Sequence, residues 1–294
     1  MKIAILSFYS GINNRGAETW AEEVKNNLNS EVEIFTKFWD SLKYWTNFDV
    51  VIPTNGHWQV FLCRLVTWVK GKPMVVFGHS GLGADDKWNL LCSPDVFVAF
   101  STYQKQWAEK FKLPWTKVVM IPHAVDIKRF TPAKTKPKRS PLSGGKNIIL
   151  FVGANTPSKR IELVKEAVEF IPDAEFLAVG KGNPIETSFN KMPEIYKKAD
   201  VFCFVPHPWE AFGLVFLEAM ASNLPVVTTD DPIRREIVAD AGIFVDSPKN
   251  PKELSEAIRK ALKINWSDKP RGQAENFSWD KIRIKYEELF KSLI

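Results

Sequence analysis

Cysteine is scarce in this 294-residue chain. The three present (Cys63, Cys92 and Cys203) are an odd number without metal-ligand spacing, which argues against a disulfide framework and a zinc site. A reducing cytoplasm is therefore the expected location. No uncharged apolar stretch approaches the roughly 18 residues that a spanning helix requires, so no transmembrane segment is expected. The opening Met1-Lys2-Ile3-Ala4-Ile5-Leu6 is too short for a signal peptide and no small-residue cleavage site follows it; it reads as a first buried strand. Several catalytic signatures are missing as well. No G-x-G-x-x-G follows a strand, Gly180-Lys181-Gly182 being only a fragment of one, and neither a Walker A sequence nor a G-x-S-x-G elbow occurs. Asp230-Asp231 reads as a turn at a strand end rather than a metal pair.

What is present is the composition of a globular protein, 45% hydrophobic and 25% charged, which excludes disorder; the length suggests about two domains. The formal net charge is +6, and Lys134, Lys136, Lys138, Arg139 and Lys146 crowd one Pro/Ser/Gly-rich stretch. That stretch reads as a solvated linker rather than a nucleic-acid surface. On both sides of it, short β-branched or aromatic runs alternate with amphipathic segments. Most of the runs are continuously apolar, as in parallel strands covered on both faces. The expected fold is α/β: a Rossmann-like doubly wound domain over 1–130, a basic linker over 131–146, a second such domain over 147–275, and a helix over 276–294. Ligands of such sheets lie beyond the carboxyl ends of the strands, so the loops there should carry the chemistry.

The densest signal is Glu210-Ala211-Phe212-Gly213-Leu214-Val215-Phe216-Leu217-Glu218-Ala219-Met220. A helix over 213–221 would have almost no polar face, yet Glu218 sits in its middle. A buried carboxylate needs partners: either ligand hydroxyls such as those of ribose, or an internal cation. Glu210 lies in the loop where ligand contacts concentrate. The N–H groups of Phe212, Gly213 and Leu214 open the helix, and Gly213 lets an anion approach. After the run 147–152, Gly153-Ala154-Asn155-Thr156-Pro157-Ser158-Lys159-Arg160 reads as another helix start, with Lys159 and Arg160 in its first turn. The helix dipole disfavours cations there by about 0.3–1 kcal/mol each, a conflict that a bound diphosphate would resolve. In the first domain, Gly16 opens a helix and His79 ends a strand among glycines.

These residues resemble a known family. The stretch from Glu194 to Val227 looks like the E-x7-E region of retaining GT-B glycosyltransferases of family 4. Ile121-Pro122-His123-Ala124-Val125-Asp126 through Phe130, Phe151-Val152-Gly153 with Lys159, Ala241-Gly242-Ile243-Phe244-Val245-Asp246, and Phe277-Ser278-Trp279 resemble further family segments in the same order. The resemblance implies two Rossmann-like domains facing across a cleft, with the C-terminal helix crossing back to the first. It implies a UDP-, GDP- or ADP-sugar donor, no metal or other cofactor, and a glycan, lipid-linked or protein acceptor. Glu218 would bind ribose and Glu210 the donor sugar. Lys159, aided by the helix start at Phe212–Leu214, would stabilise the departing diphosphate. Gly16 would let the first domain approach the phosphates, and His79 would contact the sugar near the reacting carbon. Two departures stand out. The family's Arg after "VG" is Ala154, for which Arg160 or Arg15 could substitute, and the glycine expected before Gly16 is Arg15.

Two other readings follow from these residues: a sugar- or nucleotide-binding protein with weakened turnover, and a glycoside hydrolase using Glu210 and Glu218. Trp58, Phe61, Leu62, Leu65, Trp68 and Val69, with Arg64, Lys70 and Lys72, read either as a core helix with basic ends or as a peripheral membrane contact.

Overall fold

The computed structural model describes residues 1–7, 16–37, 47–54, 56, 58–133, 145–208, 210–246 and 249–294. Arg15 and the basic residues from Lys134 to Arg139 lie outside them. The chain divides into two compact units. Unit 1 comprises Met1–His123, Trp209–Phe212 and Trp279–Ile294; unit 2 comprises Ala124–Pro208 and Gly213–Ser278. The first division thus falls after His123, ahead of the boundary at 130 read from composition.

The described elements of unit 1 are, in order, β1 (Lys2–Leu6), α1 (Gly16–Asn27), β2 (Glu31–Phe35), β3 (Val50–Pro53), α2 (Trp58–Lys70), β4 (Val75–Phe77), α3 (Ala84–Leu91), β5 (Val96–Ala99), α4 (Thr102–Phe111) and β6 (Lys117–Met120). The strands pair in parallel in the orders β2-β1-β3 and β4-β5-β6, and a parallel bridge from Val51 to Met74 links the two sets. β3, β4 and β5 are buried along their whole length, which is why their sequences are unbroken apolar runs. The last helix, α11 (Trp279–Lys291), belongs to this unit. The Trp20 indole N–H donates to the Tyr286 hydroxyl (2.9 Å), that of Trp279 to Glu23 (2.8 Å), and the Tyr286 ring stacks on Phe77.

Unit 2 holds one five-stranded parallel sheet in the order β11-β10-β9-β7-β8. Its elements are β7 (Asn147–Val152), α5 (Ile161–Glu169), β8 (Ala174–Val179), α6 (Met192–Tyr196), β9 (Val201–Cys203), α7 (Leu214–Ala221), β10 (Val226–Thr229), α8 (Pro232–Val238), β11 (Gly242–Val245), α9 (Pro251–Lys263) and α10 (Lys269–Glu275). The Arg271 guanidinium donates to the carbonyls of Ile127, Phe130 and Ala221, satisfying the C-terminal end of α7. Asp231 caps α8 through the N–H groups of Ile233 and Arg234, so the two-acid turn serves a helix start.

One local expectation is overturned. Lys159 and Arg160 do not occupy the first turn of an α-helix. Pro157–Lys159 form a 3-10 turn, Arg160 takes a left-handed conformation (φ 51°), and α5 begins only at Ile161. The two cations therefore lie ahead of the helix rather than in its first turn, and the dipole conflict does not arise. The three cysteines are free and buried. Among the described residues, no group of His, Cys, Asp or Glu is placed to hold a metal, and no helix is long and apolar enough to cross a membrane.

Candidate active site

In unit 2 the loops at the carboxyl ends of neighbouring strands are tied together. After β7, the Gly153 N–H donates to Val179 (2.9 Å) and the Gly153 carbonyl accepts from the Asn183 amide (2.7 Å). The Asn155 N–H donates to Lys181 (2.8 Å). The approach of the two loops demands glycine at 180: φ is +130°, and a Cβ there would lie 2.3 Å from the Gly153 oxygen. On the other side, the His207 N–H donates to Ser158 (3.0 Å), joining the turn after β7 to the loop after β9.

The Phe204 ring, just past β9, is the common neighbour of three residues singled out in the sequence. The Lys159 ammonium lies 5.5 Å from its centroid. Side chains built on Gly153 and Gly213 would reach it at 3.8 and 4.0 Å. Gly153, Lys159 and Gly213, from two loops, therefore gather at one end of the sheet. Arg160 follows Lys159, but its guanidinium is engaged with the imidazole of His207 (3.0 Å to Nδ1). Burial, reinforced by the Arg160 charge, lowers the His207 pKa. Gly213 sits at the start of α7 with φ +85°, and any Cβ would come within 2.8 Å of the Phe216 ring. Leu214, the first helical residue, is half-buried.

Glu218 lies one turn further along α7 and is only 8% exposed. Its Oε2 accepts from the buried Tyr196 hydroxyl at 2.6 Å. Burial, with the adjacent Glu218 charge, pushes the Tyr196 pKa well above its usual value, so Tyr196 remains a donor. A neutral donor orients the carboxylate without cancelling its charge, which suits recognition of further hydroxyl groups. The sequence carried no sign of this pair, since 22 residues separate the partners.

In unit 1, His79 follows β4 inside a ring cage: Trp20 at 4.7 Å, Phe100 at 5.1 Å and His123 at 5.6 Å between centroids. Its Nε2 is buried and has no hydrogen-bond partner among the described residues. Burial pushes its pKa down to about 3, so at neutral pH it is an uncharged imidazole. His79 can therefore exchange a hydrogen bond but carries no positive charge there. His123 is buried, stacked on Phe100 at 3.6 Å, and contacts Phe212 at 5.1 Å. This cluster brings the Glu210–Phe212 segment into the same unit as His79; Glu210 and Ala211 are half-buried on it. Gly16, by contrast, is exposed, with no described atom within 4 Å of a built Cβ.

The loop that carries His79 is held from below by residues that the sequence reading missed. The Gln104 amide donates to the Gly78 carbonyl (2.8 Å) and to Asp86 (3.2 Å), and its oxygen accepts from the Phe100 N–H (2.8 Å). A Cβ on Gly78 would meet the Gln104 amide at 2.3 Å and the Phe97 ring at 2.9 Å, so a larger residue would displace the Gln104 side chain. Asp86 is fully buried, and desolvation raises its pKa to about 8 against the pull of its hydrogen bonds. The Ser101-x-x-Gln104 spacing of a helix capping box was the available signal. The Ser101 hydroxyl does accept from the Gln104 N–H, but the Gln104 side chain turns to the loop instead.

Residues 184–277, which include Tyr196, Gly213 and Glu218, match the family described as Glycosyl transferases group 1. Similarity to known glycosyltransferases extends beyond that segment. An uncharacterized glycosyltransferase of Methanocaldococcus jannaschii is 31% identical over 176 residues, covering 50% of this chain and 49% of that protein. The O-antigen chain mannosyltransferase RfbU of Salmonella typhimurium is 36% identical over 186 residues, covering 56% and 50% respectively. This chain spans about half the length of the curated relatives it matches. Anabaena HepE, solved in complex with UDP and glucose, superposes with a TM-score of 0.81 at 16% identity, covering 99% of this chain and 100% of that one. The fold is thus of the GT-B type, built from two Rossmann-like α/β domains.

Proposed function

We propose that the protein is a retaining glycosyltransferase, moving a sugar from a nucleoside-diphosphate sugar to an acceptor hydroxyl without a metal ion. The observation that carries this reading is Glu218: a carboxylate set inside an apolar helix and oriented by the Tyr196 hydroxyl at 2.6 Å. Such a group accepts hydrogen bonds from the vicinal hydroxyls of a ribose. Lys159 and the N–H groups opening α7 at Phe212–Leu214 bind the diphosphate, with Gly153, Arg160 and Gly213 beside them, and Gly16, bare of a side chain, leaves room for a phosphate at the start of α1. Glu210 and Ala211 bind the sugar, and neutral His79 contacts it near the reacting carbon. As the bond from the anomeric carbon to the phosphate oxygen breaks, charge grows on that oxygen, where a fixed cation and N–H donors lower the barrier most. The acceptor oxygen bonds to the same face of the carbon, and its proton passes to the departing diphosphate. The acceptor is a glycan, a protein or a lipid-linked sugar, and the site of action is the cytoplasm or the cytoplasmic surface of a membrane.

A titration of UDP, GDP and ADP and their sugars, followed by thermal stability, tests the donor reading. A nucleotide at 100 times its dissociation constant should add about 2.7 kcal/mol. Glu218→Gln should weaken that nucleotide about 10- to 100-fold, in line with the loss of hydrogen bonds to a charged group. Cleavage of oligosaccharides without any nucleotide would overturn the reading in favour of a hydrolase. One observation favours a second reading, a binding protein with weakened turnover. Ala154 replaces the expected phosphate-binding arginine, and Arg160, the nearest substitute, is engaged with His207. Nucleotide binding without nucleotide release, in the presence of acceptor, would establish that alternative.

A further inference from the structure

Helix α2 has two apolar faces. Val60, Cys63 and Thr67 are buried in the unit 1 core, whereas Trp58, Phe61, Leu65 and Trp68 recur at steps of three and four residues on an outer face. That outer face is open: Trp68 is 74% and the adjacent Val69 80% exposed. The stripe continues across one edge of the sheet. Strands of a parallel sheet begin where its helices end, so α2, α3 and α4 finish on the edge where β4, β5 and β6 start. Arg64 of α2 pairs with Asp95 (2.7 Å), the Asp95 carboxylate also accepts from the Met74 N–H (2.8 Å), and the Thr116 hydroxyl donates to Pro94 (2.8 Å). Trp115, 65% exposed, donates its indole N–H to Ser93 at the same edge. Leu91, ending α3, is 53% exposed there.

The charges at this edge select the partner. No Asp or Glu occurs from Val50 to Ala84, while Arg64, Lys70 and Lys72 do. The nearby carboxylates, Asp95 and Glu109, are ion-paired with Arg64 and Lys112. The unanswered sign is positive, carried by Lys70 at the end of α2, by Lys72 just past it and by Lys117 at the start of β6. Protein interfaces are depleted in lysine. Exposed tryptophans beside lysines instead match an anionic bilayer surface, with rings at the headgroup level and ammonium groups near lipid phosphates. We propose that this edge, centred on the outer face of α2, docks the protein peripherally on a membrane containing anionic lipid. The surface rests on the proposed membrane location but not on the donor site.

Flotation of the full chain with phosphatidylcholine vesicles, with and without phosphatidylglycerol, tests the proposal at about 0.1 M and about 1 M salt, where the Debye length falls from about 10 to 3 Å. The wild type should bind the anionic vesicles at least about tenfold more tightly than the neutral ones, and the difference should shrink at high salt. Lys70→Glu with Lys72→Glu should weaken binding about tenfold or more, and Trp68→Glu should abolish it. All these variants should keep the wild-type melting temperature and nucleotide response, which separates failure of the surface from failure of the donor site. Absence of wild-type binding at low salt, or undiminished binding by Trp68→Glu, would overturn the proposal. So would a dimer of the wild type that Trp68→Glu converts to monomer without any vesicle binding, which would assign the face to a second copy.

Discussion

The two units solve the same problem, a parallel sheet with working loops at the carboxyl ends of its strands, by different means. In unit 2 the loops are shaped by backbone: Gly180 and Gly213 hold positive φ in places where a Cβ would strike Gly153 or Phe216. In unit 1 the loop after β4 is shaped by side chains, Gln104 and Asp86 beneath it and rings around His79. The surfaces differ too. Nine of the 14 large apolar side chains exposed among the described residues fall between Trp58 and Trp115, all in unit 1. The family match lies wholly between 184 and 277. Backbone constraints suit a ligand part that never varies, such as a diphosphate. Side-chain scaffolds and open surfaces can be rebuilt for a different acceptor.

The contrast is broken most severely at Gly180. Gly180→Ala should cost about 3 kcal/mol or more, measured by urea unfolding, because the new methyl meets the Gly153 carbonyl in a disallowed conformation. Gly16→Ala in unit 1 is the matched control, since no described atom lies within 4 Å of the new methyl. It should leave stability unchanged or raise it by up to about 1 kcal/mol.

Next in size is Tyr196→Phe, which removes the hydroxyl bonded to buried Glu218 and should cost about 1–3 kcal/mol. It should also weaken nucleotide binding, because the carboxylate loses its orienting donor. Unchanged nucleotide affinity would show that Tyr196 serves the fold alone.

A smaller, pH-dependent effect should come from unit 1. The folded-state pKa of Asp86 is raised to about 8. Between the ordinary carboxylate pKa and 8 the folded state therefore holds a proton that the unfolded state has lost, and stability falls as pH rises through this window. The His79 pKa of about 3 acts in the opposite sense: the unfolded imidazole takes up a proton below about 6.5 and the folded one does not, so stability falls as pH drops. From about pH 6.5 to 8 the Asp86 slope outweighs that of His79, at most about 1.4 kcal/mol per pH unit. Asp86→Asn should flatten it, as read from melting temperatures across that range.

The least effect is expected at the outer face of α2. Trp68→Ser should change stability by no more than about 0.5 kcal/mol, in contrast to Val60→Ala on the inner face of the same helix, which should cost about 1 kcal/mol or more.

Much of the architecture was legible because burial on both faces of a parallel strand leaves a continuous apolar run, as at Asn147–Val152, and because α7 has no polar face except at Glu218. Two short helices were not. α3 buries Asp86 and Asn89 beside Leu90, and α10 buries only Pro270 and Ala274, so neither shows an apolar period. The turn at Lys159 and Arg160 was read as helix because Pro157 favours a helix start, whereas the loop after β9 holds the segment through the bond from His207 to Ser158.

By itself, the order of residues determined most of the strands and helices, that Glu218 must find partners, and which family the second half resembles. Those are local matters of periodicity, propensity and desolvation, computed along the chain. Only the tertiary structure decided that Tyr196 is a partner of Glu218, that Gln104 and Asp86 carry the His79 loop, and that one face of α2 stays open. Each depends on groups brought together by folding from separate parts of the sequence, and a helical stripe of tryptophans reads the same whether the core covers it or solvent does.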